Sequence, residues 1–168
     1  MNTPMYDRST RMVRFKDLSM PMTQALAEHA ESRQLVLSDE MPAWLTHSVN
    51  LPSQSLLGKL LGHKANRTDR DKEHDVLVVL HTTHVIIVTS GAKRGTSALS
   101  LPIEHATIRV GSALETTFSS VEDAGFTLGG FPGDHGKSGT FYIGLGTEPA
   151  GAECAEAIRA AITDAKNP

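Results

Sequence analysis

Residues 76–90 read VLVVL-HTTH-VIIVTS. Two apolar runs, VLVVL (76–80) and VIIVTS (85–90), flank the polar tetrapeptide HTTH (81–84). Each run is too short for a helix and rich in Val and Ile, whose branched Cβ suits a pleated strand. They predict two central antiparallel strands joined across a tight turn.

Downstream, GAKRG (91–95) reads as a turn. In TSALSLPI, Leu99, Leu101 and Ile103 alternate with polar or small residues, and Ala106, Ile108 and Val110 repeat the alternation in ATIRV. Leu114, Thr116 and Phe118 suggest another strand. GFTLGG and GTFYIGLG carry Phe126/Leu128 and Phe141/Ile143/Leu145 on one face each. The end of the chain changes period. Cys154, Ile158 and Ile162 recur at i, i+4, i+8, which predicts an amphipathic helix over 149–165, with Thr147 as its cap and Pro149 in its first turn.

Upstream, AWLTHSV is a candidate strand, whereas SQSLLGKLLGHK is ambiguous. Its Leu56, Leu57, Leu60 and Leu61 sit at helical spacing despite Gly58. ANRTDRDKEHD (65–75) has mixed charge and almost nothing to bury, so it reads as a mobile loop. Met22, Leu26 and Ala30 predict an amphipathic helix over 20–33, with Ser19 as a cap and Pro21 in the first turn. Residues 1–16, with Arg8, Arg11, Arg14 and Lys16, read as a solvated basic tail.

Helix, short strands with tight connections, then one terminal helix is not the strand–helix alternation of a parallel sheet. The expected class is mainly β (α+β). From VLVVLHTTHVIIVTSG through SLPIEHATIRV, GFTLGG and TFYIGL to the final helix, residues 41–165 resemble the bacterial pleckstrin-homology-like (PH-like) domains. Those are barrels of about seven antiparallel strands, whose edges closure hides, packed against one C-terminal helix. The resemblance implies such a barrel over 41–168, with residues 1–40 as an added tail and helix. Of nine candidate strands, residues 55–61 and 114–119 are the two set aside as irregular. It also implies a binding or scaffolding module without catalysis of its own, and names no ligand.

The chain has 168 residues, a net charge of −3 and a single cysteine, Cys154. That is the size of one domain able to bury a core without disulfides. The charge gives no global reason to expect nucleic-acid binding. No run approaches the roughly 18 apolar residues of a membrane span, and the N-terminus lacks a signal peptide's apolar core. A cytoplasmic protein is expected.

Candidate chemistry is sparse. GGFPGDHGKSG (129–139) ends in Gly-Lys-Ser, yet a phosphate loop requires glycine where Phe131 stands, and an alternating strand follows instead of a helix. His81, His84 and His74 are too few to make a zinc site with the distant Cys154, which sits on a helix's apolar face. No metal and no cofactor are expected, and no nucleophile–base pair announces an enzyme. The remaining feature is basic. Lys93 and Arg94 occupy a turn, and Lys59, Lys64, Arg67 and Arg70 a long loop, though Asp69, Asp71, Glu73 and Asp75 nearly cancel the latter. The expectation is a non-catalytic module that binds a protein or itself through a strand edge or end loops. The alternative is weak binding of anionic lipid or phosphate at Lys93, Arg94, Lys64 and Arg67.

Overall fold

A computed structural model describes residues 5–53, 55–110, 124–133, 136 and 138–168. Among these residues eight strands lie in two antiparallel sheets. The larger runs in sequence order: β1 (Tyr6–Met12), β2 (Ala43–Asn50), β3 (Glu73–Leu80), β4 (His84–Gly91) and β5 (Gly95–Pro102). The smaller holds β6 (Thr107–Val110), β7 (Gly125–Pro132) and β8 (Ser138–Gly144). Among the described residues there are also three α-helices, α1 (Met20–Ser32), α2 (Leu56–Leu60) and α3 (Pro149–Lys166). No described helix is long and apolar enough to cross a membrane.

The central runs pair as expected, from His74↔Gly91 to Leu80↔Val85. They lack alternation because both faces of the larger sheet are covered. Val76, Val78, Val85 and Ile87 face a core shared with the smaller sheet and α3. Leu77, Val79, Ile86 and Val88 face a second core beneath α1, where Met22 and Leu26 are buried. Fully burying each such side chain is worth roughly 1.5–3 kcal/mol, so both layers are needed to seat these two strands.

Helices α1 and α3 occupy the expected spans, but their caps differ from expectation. Ser19 holds the N-cap position of α1 without a side-chain cap bond. Glu148, not Thr147, is the N-cap of α3. Its carboxylate accepts from Thr10 N–H at 3.1 Å, and that bond, ahead of any other influence, lowers its pKa. Cys154, Ile158 and Ile162 are buried as the helical spacing predicts.

Residues 6–12 depart from the expected tail. They form β1, paired along β2 from Tyr6↔Asn50 to Met12↔Trp44. Only Thr10 of this strand is buried, so no apolar alternation marks it. Thr10 Oγ1 is 2.8 Å from Thr46 Oγ1 and accepts from Gly146 N–H at 2.8 Å.

The two sheets do not close into the expected barrel: among the described residues no backbone ladder joins them. Where β1 meets the end of β8, Glu148 and Thr10 take edge groups that a ladder would use. At the other junction, the chain turns through a short 3-10 segment, Ile103–His105, anchored by Ile103 N–H to Thr83 O at 3.0 Å. A bulge at Gly130 (φ +108°) bends β7 around this corner, and a Cβ there would strike the His105 carbonyl. The strand considered at 114–119 lies outside the described residues. Residues 56–60, also set aside as a strand, form the one-turn helix α2.

Candidate docking site

The loop between β2 and β3 is built as a neck with a tip. Ser53 N–H donates to His63 O at 2.8 Å and Ala65 N–H to Leu51 O at 2.7 Å, bringing its two arms together. Asn50 and Asn66 brace the base: Asn50 Nδ2 donates to Asn66 O at 2.8 Å and Asn66 N–H to Asn50 Oδ1 at 3.0 Å. At the tip, Ser55 caps α2 by accepting from Gly58 N–H at 2.9 Å. Gly58 is buried against Ser53 and Ser55, where a side chain would collide with both hydroxyls. The helix therefore turns its glycine inward and its leucines outward.

Those leucines are the unusual feature. Leu56 is 88% exposed, Leu57 68%, Leu60 83% and Leu61 58%. Contiguous apolar surface of this kind on a protruding element marks an interaction site more often than a scattered exposed leucine does.

Below the tip, the segment expected to be mobile is tied to the turn between β4 and β5. Asp71, with a side chain 1% exposed, accepts from Lys93 N–H at 2.7 Å and from Arg94 Nε at 2.7 Å. Asp69 accepts from Arg94 Nη2, and from Tyr6 Oη at 2.7 Å. Lys64 Nζ donates to the main-chain carbonyls of Asp69 and Asp71. Tyr6 in turn accepts from Asn66 Nδ2 at 2.9 Å.

The electrostatics follow from these contacts. Burial pushes Asp69 upward, but the Tyr6 hydroxyl, the Asp71 N–H and Arg94 outweigh it and bring the carboxyl down to about 2. The Lys93 N–H does most to hold Asp71 below its ordinary value. Burial, with Asp69 beside it, pushes the Tyr6 phenol up to about 12. His74 stacks edge-on to Tyr6, with its Nδ1 3.7 Å from Asp69 Oδ2 and without a hydrogen-bond partner. Burial first, then Arg94, lowers its pKa, so the ring is neutral at neutral pH.

Of the residues singled out as anion ligands, Lys64, Lys93 and Arg94 thus meet at one end of the larger sheet, and Arg67 is exposed on the same loop. Arg94 and Lys64 are engaged by the loop itself. Their work is to fasten it, a role that sequence spacing did not reveal for Arg94 because Asp71 and Asp69 lie 23 and 25 residues away, nor for Lys64 because it bonds their main-chain carbonyls and not their carboxylates. The same contacts withdraw both acids from the surface, while Lys59, Arg67, Arg70, Lys72 and Lys93 remain exposed.

At the opposite end of β3 lies a cleft of about 950 Å³ lined by Met41, Pro42, Leu80, Ile103 and Ala161, with Glu40, Glu104 and Asp164 beside them. His81 and His84 also line it, with rings 6.0 Å apart. His81 Nδ1 accepts from Thr83 N–H at 3.1 Å, which leaves its Nε2–H to donate to Val36 O at 3.0 Å. Among the described residues no three His, Cys, Asp or Glu side chains are placed to hold a metal. Cys154 is fully buried, and burial pushes its thiol up to about 12. Ser138, the last residue of the Gly-Lys-Ser tripeptide, opens β8, so a strand and not a helix follows it; Lys137 lies outside the described residues.

No protein-family model matches the chain, and no curated protein matches its sequence.

Proposed function

We propose that the chain is a non-catalytic PH-like binding module that docks on another macromolecular surface through its β2–β3 loop, residues 51–72. The PH-like part draws support from order and number: four sequential strands β2–β5, three more β6–β8, then a terminal helix packed in the core between them. On that view β1 and α1 are additions to the frame. The observation that carries docking is the outward display of four leucines on a neck whose base is fastened by Asp69, Asp71 and Arg94. Rigid presentation limits the entropy lost on binding. A strand edge is a poorer route on β1, because Thr10 N–H already donates to Glu148.

The test compares immobilised wild-type chain with Leu57→Ser/Leu60→Ser, each exposed to a whole extract of the source cells, membranes included. The material retained, protein or membrane, should fall at least about tenfold with the variant, as expected for apolar anchors at a hot spot. Equal retention would overturn docking through this loop.

A further inference from the structure

We infer that the surface this loop docks on is a second copy of the chain: the leucine tip of one molecule enters the cleft at the far end of β3 in the next. This rests on the docking role of residues 51–72 and adds its partner.

Shape is the first reason. At 100° per residue, Leu56, Leu60, Leu57 and Leu61 occupy an arc of about 140° on one side of α2, and Lys59 lies outside that arc. They make a convex apolar wedge at the end of a neck. The cleft of about 950 Å³ is its concave counterpart, lined by the half-buried Met41, Leu80 and Ala161 and the buried Ile103. Pockets of roughly 300–1,000 Å³ enclose drug-sized ligands, so this one has room for the leucine side chains of one helical turn. Seating the tip there removes from water apolar groups that both ends otherwise leave wet.

Charge is the second. The loop's two acids point inward onto Arg94, and the neighbouring Asp75 engages His47 at 2.8 Å, beside Glu73. Exposed on the loop are Lys59, Arg67, Arg70 and Lys72. The cleft has the opposite sign, with Glu40, Glu104 and Asp164 exposed around it. Among the described residues no lysine or arginine lines it, although Arg33 stands near His84. Glu104 meets His105, while Glu40 and Asp164 take part in no ion pair among the described residues. Opposite charge therefore steers a tip towards a cleft. Two tips meeting face to face would bring their cations together, and two clefts their acids.

Topology is the third. Tip and cleft lie at opposite ends of β3, about 25 Å apart along an eight-residue strand, so a molecule cannot fill its own cleft. Every copy offers both halves, so the contact runs head to tail and repeats, in a ring or an open chain. One helical turn falls short of the roughly 1,200–2,000 Å² that stable complexes bury, so the contact is weak and the dilute chain is a monomer.

Sedimentation velocity of the full chain, from about 10 µM to about 1 mM at low and physiological salt, tests this directly. The average mass of wild type should climb with concentration past that of a dimer, less steeply at the higher salt. Leu57→Ser/Leu60→Ser removes the wedge, and Glu40→Lys/Asp164→Lys reverses the charge around the cleft. Each pair should weaken association at least about tenfold. Mixed in equal amounts, the two variants should form a complex that stops at one copy of each, because one keeps an intact cleft and the other an intact tip. All four side chains are exposed, and unchanged circular dichroism will confirm that each variant folds. Wild type that stays monomeric at the highest concentration would overturn the inference. So would a dimer that grows no further, or two variants whose mixture stays apart. If wild type stays monomeric while retention from the extract still depends on the leucines, docking stands and the second copy falls as its partner. If neither measurement responds to the leucines, the docking role falls as well.

Discussion

Asp71 is almost wholly withdrawn from water, yet it stays ionised because Lys93 N–H and the Arg94 side chain donate to it. Such groups write themselves into the pH dependence of stability. Asp69, Asp71 and Glu148 have folded-state pKa values below their ordinary ones, so they contribute stability above about pH 4 that is lost as pH falls towards 2. His29, His74 and His84 are also lowered, each chiefly by burial, so folding opposes their protonation. Their contribution is present above the ordinary 6.5 and declines as pH drops below it. The thermal midpoint should therefore fall in two acid stages, one beginning near pH 6.5 and one below pH 4. His74→Asn should shrink the first stage, and an unchanged first stage in that variant would remove His74 from the account. Tyr6→Phe removes the hydroxyl shared by Asp69 and Asn66 and should cost about 1–2 kcal/mol in denaturant unfolding.

At the scale of elements, β1 and α3 are held by different forces. Thr10→Val deletes the acceptor of Gly146 N–H and the contact with Thr46 in a buried setting. A loss of roughly 1–3 kcal/mol is expected, measurable by urea unfolding, with hydrogen exchange rising first along residues 6–12. For α3 the force is packing. Ile158→Ala opens a cavity at a position fully removed from solvent and should cost about 2–5 kcal/mol. Cys154, one turn earlier on that face, should react with a maleimide only after unfolding. Strands β2 to β8 and helices α1 and α3 were legible in the chain because each carries a period of two or 3.6 or, in β3 and β4, an unbroken β-branched run. The pattern YDRSTRM has no such period, and β1 exists only because β2 offers it an edge.

Across the whole molecule, the larger sheet is sandwiched between α3 with the smaller sheet on one face and α1 on the other. Residues 41–168 alone would uncover Leu77, Val79, Ile86 and Val88 together, a continuous apolar face. That fragment should aggregate where the full chain remains monodisperse by light scattering. A well-behaved fragment would show that α1 contributes little to the fold. The candidate site was half legible at this scale. Lys64, Arg67, Lys93 and Arg94 could be named from their loops, and the leucine spacing was visible. Which cations are tied to Asp69 and Asp71, and which face water, was not.

The division has a physical cause. The amino-acid sequence by itself determined the local elements, because hydrophobic period, β-branching and helix-start residues act over a few neighbours. It also ruled out a phosphate loop, since Phe131 stands where glycine is required. Only the tertiary structure decided that β1 is a strand, that no ladder joins the two sheets among the described residues, and that Arg94 is a fastener. It alone left Leu56, Leu57, Leu60 and Leu61 in water. Each of these depends on which distant group arrives to pair, cover or discharge a residue, and contacts across tens of residues leave no periodic trace in the chain.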